Sequence, residues 1–304
     1  MLIRYGTDKN GDFIKKAVIY TQEEHLIPNN KIDPDALQIV NRLRDSGFTA
    51  YVVGGAVRDL IIGNTPKDFD IVTDATPSKI KKIFRNSRII GRRFRLVHVV
   101  FGTKIFEVST FRSICEGSVG NSFGTIDEDV QRRDFTINAL YYDPIQKQVI
   151  DYVGGMRDIK KHILRPVIPL DHIFIEDPVR MLRAVKYSAT THAQMSFLLR
   201  RKIRQSANLL SQVSPSRLTE EMMKIIEKNA INNTLVEMLS ASVSQKPKIF
   251  FNDQKLSFTL KPTKVNWYLA EDILPATILV AVIVSSLTIV TGYILCSHKK
   301  HNLK

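Results

Sequence analysis

"TPKDFDIV", residues 65–72, decides how the rest of the chain reads. If "DFDIV" is a strand, alternation puts Asp68 and Asp70 on one face and Phe69 on the other. Phe69 can then enter a core while the two carboxylates meet outside it. Carboxylates held close repel each other unless a cation lies between them, and a divalent ion is the natural occupant. An isolated D-x-D is more often two solvated acids, so the neighbouring residues have to decide.

Just upstream, "TAYVVGG" (49–55) reads as a buried strand running into a glycine turn. "AVRDLII" (56–62) reads as a helix that Gly63 and Asn64 stop. Gly54 and Gly55 let backbone N–H groups approach a ligand closely, and the helix start favours phosphate. Arg58, one turn in, can clamp a phosphate oxygen. A lone Gly-Gly is weak; Gly-Gly, Arg and D-x-D within 17 residues is much stronger.

Downstream, "LVHVVF" (96–101) and "IFEVSTF" (105–111) flank Gly102-Thr103 and predict an antiparallel hairpin. Glu107 shares a face with Ile105 and Ser109 and supplies a third carboxylate if this strand neighbours the first. "NALYYD" and "QVIDYV" predict another strand pair. Leu37, Val40 and Leu43 predict an amphipathic helix ending near Gly47, and Thr76-Pro77 starts a helix reaching about Phe84. After about residue 155 the pattern turns helical. Asp177-Pro178 starts one helix, and Ser214-Pro215 another with Leu218, Met222, Ile225 and Ile226 on its apolar side. The expected class is α+β: a mixed sheet-and-helix N-terminal half, then an α-helical half. Residues 1–31 read as a polar lead-in.

The 304 residues are 44% hydrophobic, enough for a folded core. A formal net charge of +14 favours a polyanionic partner. From Lys79 to Arg95 there are eight basic residues and no acid: Lys79, Lys81, Lys82, Arg85, Arg88, Arg92, Arg93 and Arg95. Such a patch neutralises RNA phosphates without reading sequence. Cys115 and Cys296 lie far apart in no metal-ligand spacing, which argues against a disulfide framework or a zinc site.

"YVVGGAVRDLIIGNTPKDFDIVTDATP", "RIIGRRFRLVHVVFG", "RRDFTINALYYD" and "EDPVRMLRAV" together resemble the bacterial poly(A) polymerase and CCA-adding class of nucleotidyltransferases, over roughly residues 32–230. The resemblance implies a nucleotidyltransferase head (32–160), a helical neck binding RNA and nucleotide (161–230), and a shortened helical body or linker (231–304). It implies that Asp68 and Asp70 bind two Mg²⁺ ions, with Glu107 a third acid, and that Gly54, Gly55 and Arg58 hold the triphosphate of ATP. Arg132, Arg133, Asp134 and Asn138 would contact ribose and phosphates; Asp177 and Arg180 would read the base edge. Left to itself, the pair Arg132-Arg133 reads as solvated, and Asp177 as a helix cap ahead of Pro178.

The motif "RIIGRRFRLVHVVFG" and the lead-in "EEHLIPNNKIDPDALQIVNRL" resemble the poly(A) branch, whose members extend RNA 3′ ends with adenylates. CCA or A addition to tRNA is the alternative, and a catalytically degenerate RNA-binding relative is another. "SICEGSVGNSFGTIDEDVQ" is compact where the family's poly(A) members carry a longer connector. Residues 276–295 contain no charged residue over 20 positions, long enough at ~1.5 Å per residue to span a ~30 Å hydrocarbon core. Two readings stand for this segment: a buried body helix, slightly favoured, or a membrane tether with the head in the cytoplasm. The need for ATP and RNA places the head in the cytoplasm either way.

Overall fold

The computed structural model describes residues 2–7, 12–91, 95–113, 123–227, 234–235, 238, 248–252 and 255–259. Arg92, Arg93, residues 114–122 of the compact connector and the apolar stretch 276–295 lie outside the described residues. Among the described residues, no helix is long and apolar enough to cross a membrane.

Phe69 is buried, with Asp68 and Asp70 exposed on either side of it. The strand itself, β4 (Asp70–Thr73), starts two residues later than the sequence suggests. The reason is its partner. β3 (Ala50–Val53) runs antiparallel to β4 and ends with Val53 opposite Asp70, after which the chain turns at Gly54. Residues 68 and 69 therefore have no β3 backbone to pair with. Asp68 sits in the lead-in, yet the in–out alternation holds.

β4 lies inside a mixed sheet whose order is β1-β2-β9-β8-β3-β4-β7-β6-β5. The remaining strands are β1 (Leu2–Thr7), β2 (Phe13–Tyr20), β5 (Ser87–Ile90), β6 (Leu96–Phe101), β7 (Lys104–Thr110), β8 (Leu140–Asp143) and β9 (Gln148–Asp151). Every neighbouring pair is antiparallel except β4 and β7, which are parallel with Ile71 opposite Val108. The expected hairpin is β6–β7 and the expected second pair is β8–β9. Residues 1–31 differ from the polar lead-in expected: β1 and β2 form a hairpin that extends the sheet through β9.

One face of the sheet is covered by helices. α1 (Gln22–His25) is a single turn; α2 (Pro34–Asp45), α3 (Gly55–Ile62) and α4 (Pro77–Ile83) carry the apolar stripes. Ile39, Val40, Leu43, Val57, Leu60 and Ile80 pack there against Val52, Ile71, Val97, Val99 and Val108. Each such side chain contributes about 1.5–3 kcal/mol when fully buried. On the other face Val53, Val72, Phe111, Tyr141 and Ile150 pack with Val130 of α5 (Ile126–Gln131). The middle of β4 is thus apolar on both sides, and only its entry is polar.

α6 (Gly155–Lys160) follows β9 through a tight turn. Buried Asp151 accepts backbone N–H bonds from Val153, Gly154, Gly155 and Met156 at 3.1, 2.7, 3.0 and 3.0 Å. Gly154 adopts φ +86°, where glycine is favoured. Asp158 accepts from Thr136 Oγ1 at 2.6 Å and from Arg165 Nε at 2.8 Å. This presses α6 onto the 3-10 turn Thr136–Asn138.

The chain divides into two compact units, residues 1–168 and 169–304. The second is helical as expected: α7 (Ile173–Glu176), α8 (Arg180–Thr190), α9 (Phe197–Ser206) and α10 (Pro215–Glu227). Within it, Lys186 of α8 donates to Glu221 of α10 at 2.8 Å. Two short strands, Lys248–Asn252 and Lys255–Thr259, pair antiparallel.

Two outcomes follow from this packing. A Cβ at position 155 would lie 2.2 Å from the Thr136 carbonyl oxygen, a backbone atom that cannot swing aside. Gly155→Ala should therefore cost about 1–3 kcal/mol, read from the urea midpoint. His25 is buried, accepts from Ile27 N–H through Nδ1 at 3.0 Å and faces the Lys147 carbonyl through Nε2 at 3.0 Å. Burial lowers its pKa below the ordinary 6.5, against opposing pulls from the Lys147 carbonyl and Glu24. The fold thus keeps the imidazole neutral, and its contribution is whole above about pH 6.5 and lost as pH falls through the lower folded-state value. Wild-type Tm should fall more steeply with acidification than that of His25→Gln.

Candidate active site

The site begins where β3 stops. Gly54 takes φ +74° and caps α3, whose N–H groups open toward the turn. Asp70 is directly across the ladder from Val53, so the acids and the glycine turn are neighbours. Glu107 precedes Val108 as Asp70 precedes Ile71, so the parallel β4–β7 register puts Asp70 and Glu107 side by side on one face. Asp70, Glu107 and Ser109 share the face opposite the helix-covered core, as the alternation predicts. Glu107 Oε1 is turned toward His98 Nε2 of β6, 3.6 Å away. Among the described residues, no three His, Cys, Asp or Glu groups converge closely enough to hold a metal.

Asp68 and Asp70 alone offer an exposed, all-oxygen donor pair braced by the buried ring between them. That chemistry suits Mg²⁺, which takes one or two carboxylates and completes its shell with water and phosphate oxygens. The residues present fit the ion.

Behind the turn, Arg58 is buried. Its Nη1 donates to Asn138 Oδ1 at 2.6 Å, and its Nε and Nη2 donate to Asp59 Oδ1 at 2.9 and 2.7 Å. Asn138 in turn donates to Asp134 Oδ1 at 3.2 Å. Arg58, Asp134 and Asn138 are therefore brought together as a brace under the glycine turn. Arg133 reaches the same place: a Cβ on Gly54 would sit 3.7 Å from Arg133 Nη1. Arg132 points elsewhere, donating to the Ser113 carbonyl.

Arg133 is held by a residue that the sequence reading missed. Asp129 Oδ2 accepts from Arg133 Nη2 at 2.9 Å and from the Tyr141 hydroxyl at 2.7 Å, and Arg133 Nε donates to the Tyr141 oxygen at 2.9 Å. The guanidinium also lies over the Tyr141 ring, 5.1 Å from its centroid. Burial would lower the Arg133 pKa, but Tyr141 and Asp129 outweigh it and raise it; burial pushes the Tyr141 phenol well up. The available signal was the i, i+4 spacing of Asp129 and Arg133.

Asp177 and Arg180 belong to the second unit. Asp177 accepts from Val179 N–H at 3.2 Å, capping the turn into α8, and from Arg217 Nη2 at 2.7 Å. Arg180 donates to Glu176 at 2.8 Å and to the Ile173 carbonyl at 3.2 Å. Of the expected basic patch, Lys79, Lys82, Arg85, Arg88 and Arg95 are exposed. Lys81 is exposed too, but its ammonium donates to the Arg85 and Ser87 carbonyls.

A glycine turn, two exposed carboxylates at the entry of the neighbouring strand and a basic flank are the arrangement of a nucleotidyltransferase head. Residues 50–165 match the family model described as "Poly A polymerase head domain", and 195–245 that of the "Probable RNA and SrmB- binding site of polymerase A". Poly(A) polymerase I of Salmonella typhi is 45% identical over 225 residues, covering 69% of this chain and 48% of that protein. The Lactobacillus helveticus CCA-adding enzyme is 36% identical over 198 residues, covering 62% and 49%. The crystal structure of the Bacillus stearothermophilus CCA-adding enzyme in complex with CTP superposes with TM-score 0.60 at 35% identity, covering 70% of this chain and 53% of that one. The chain belongs to the class II nucleotidyltransferase family of poly(A) polymerases and CCA-adding enzymes. It spans about half the length of the curated relatives it matches.

The Asp129 anchor is open to direct measurement. Asp129→Ala leaves Arg133 partly buried beside a Tyr141 hydroxyl with no acceptor, and should cost about 3–5 kcal/mol in urea unfolding. Asp129→Asn, which keeps the shape and one acceptor oxygen, should cost less.

Proposed function

We propose that this chain is a template-independent RNA 3′-end nucleotidyltransferase, a poly(A) polymerase that adds AMP from ATP and releases pyrophosphate. The observation that carries the reading is the placement of Asp70 directly across the ladder from the residue preceding Gly54. It sets Asp70 beside the glycine turn. The RNA 3′-oxygen forms a bond to the α-phosphorus as the bond to the β-phosphate oxygen breaks, and the hydroxyl proton leaves to solvent.

Asp68 and Asp70 hold Mg²⁺, with Glu107 beside them. When bound, the ions lower the hydroxyl's pKa and neutralise the leaving pyrophosphate. Gly55 offers its N–H to the triphosphate beside Gly54, whose own N–H donates to the Leu140 carbonyl at 3.4 Å and so fixes the turn against the sheet; Arg58, Asp134 and Asn138 hold that turn in place. Arg133 sits against Gly54 on the phosphate side, and Arg132, turned to the Ser113 carbonyl, adds positive charge at a distance. Asp177 accepts from the base amino group and Arg180 donates to a ring nitrogen or carbonyl. Lys79, Lys82, Arg85, Arg88 and Arg95 neutralise RNA phosphates, with Lys81 bracing their strand. The cytoplasm supplies both substrates.

Support for the adenylate branch is the higher identity to poly(A) polymerase I, 45% against 36% for a CCA-adding enzyme. Addition of CCA to tRNA is the second reading, favoured by the likeness to the CTP-bound structure. Purified protein, Mg²⁺ and each NTP alone or mixed, with oligo(A) or tRNA lacking its 3′ end, separate them. Long adenylate tails are the expected product. Asp68→Ala and Asp70→Ala should each lower incorporation about 10²–10⁴-fold, as loss of several kcal/mol of charge stabilisation implies. Because both side chains are exposed, Tm should hardly move; near-wild-type turnover in either variant removes the metal role.

A further inference from the structure

The open face of the sheet continues past the acids. Glu107 pairs with His98, and His98 pairs with Arg88, across two antiparallel ladders. With Asp70 beside Glu107, four strands present one row on one face: Asp70, Glu107, His98, Arg88. Neighbouring strands are about 4.8 Å apart, so His98 lies roughly 10 Å and Arg88 roughly 14 Å from Asp70. The row changes sign as it runs outward, from two carboxylates to an imidazole and a guanidinium. Glu107 and Arg88 are exposed and His98 is half-buried.

The glycine turn lies on the opposite side of Asp70, because β3 and β7 flank β4 from different edges. With the triphosphate on that turn, the leaving pyrophosphate departs on the β3 side. Phosphoryl transfer needs attacking and leaving oxygens roughly in line. The attacking 3′-hydroxyl must then arrive from the β7 side, over β6 and β5. A polyanion crossing there meets Glu107 first as a repulsive neighbour, so its phosphates need donors beyond it.

The geometry points to His98 and Arg88 as the seat of the last phosphodiesters of the RNA primer, an arrangement that rests on the nucleotidyltransferase reading above. His98 donates an imidazole N–H and Arg88 two guanidinium N–H groups to successive backbone phosphates. The seat reads backbone charge and no base, as sequence-independent tail extension requires. The contact of His98 with Glu107 also keeps that carboxylate from swinging onto the incoming strand.

The test uses the full chain and a 5′-labelled oligoadenylate with a free 3′-hydroxyl, without nucleotide. Arg88→Gln and His98→Asn should each raise Kd about 5- to 20-fold, the loss of a charge-assisted hydrogen bond. Arg88→Gln should also flatten the slope of log Kd against log salt by about 0.7, one phosphate's share on a single strand. Lys161→Gln, which removes the same charge from the exposed residue that follows α6, should leave Kd unchanged. A benzophenone amino acid installed at position 98 should cross-link to the final two nucleotides. Wild-type affinity in both variants, or cross-links confined to upstream nucleotides, overturns the assignment. If the benzophenone-bearing chain cross-links at the RNA end but the wild-type chain incorporates no ATP, the enzymatic reading fails and the primer seat stands. If it incorporates ATP while position 98 marks no terminal nucleotide, the seat fails and the enzymatic reading stands.

Discussion

Phe69 sits in the core between two side chains that cannot enter it, and the site depends on that opposition. The ring gains burial only by facing the helices, which forces Asp68 and Asp70 outward on the other side. The apolar ring aims the carboxylates. Their mutual repulsion is an electrostatic demand of the kind a divalent ion would meet.

The glycine turn is held in the same indirect manner. Arg58 is aimed inward, at Asn138 and Asp59, and Asn138 stands on a 3-10 turn gripped by α6 through Asp158 and Gly155. Asp151, with four backbone donors on its two oxygens, fixes where α6 starts. Much of the polar chemistry near the site thus serves position. Rigid support of this kind keeps a binding turn within the tolerance that catalysis needs.

Much of this was legible in the sequence because it is local. Alternation around Phe69, glycines after "YVV" and the Gly102-Thr103 turn need only near neighbours to be read. What escaped depends on distant partners. "LIRYGT" and "SRII" become strands only because β2 and β6 lend them backbone groups. The start of β4 was placed two residues early because the end of β3, seventeen residues back from Asp70, sets it. Asp129 shows the same limit. Its spacing to Arg133 is local, but its value as an anchor is completed by Tyr141 on another element.

The sheet has two open margins, and they are unlike. β5 ends it with Arg88 on the strand and Arg85 and Arg95 at its flanks, all exposed. Positive charge on a terminal strand discourages a foreign strand from annealing to it. β1 closes the other margin with Leu2, Ile3 and Tyr5 exposed and a single guanidinium, Arg4, among them. Among the described residues, Leu2–Thr7 is accordingly a margin open to strand annealing, and solubility engineering belongs there, at the far edge of the sheet from Arg88.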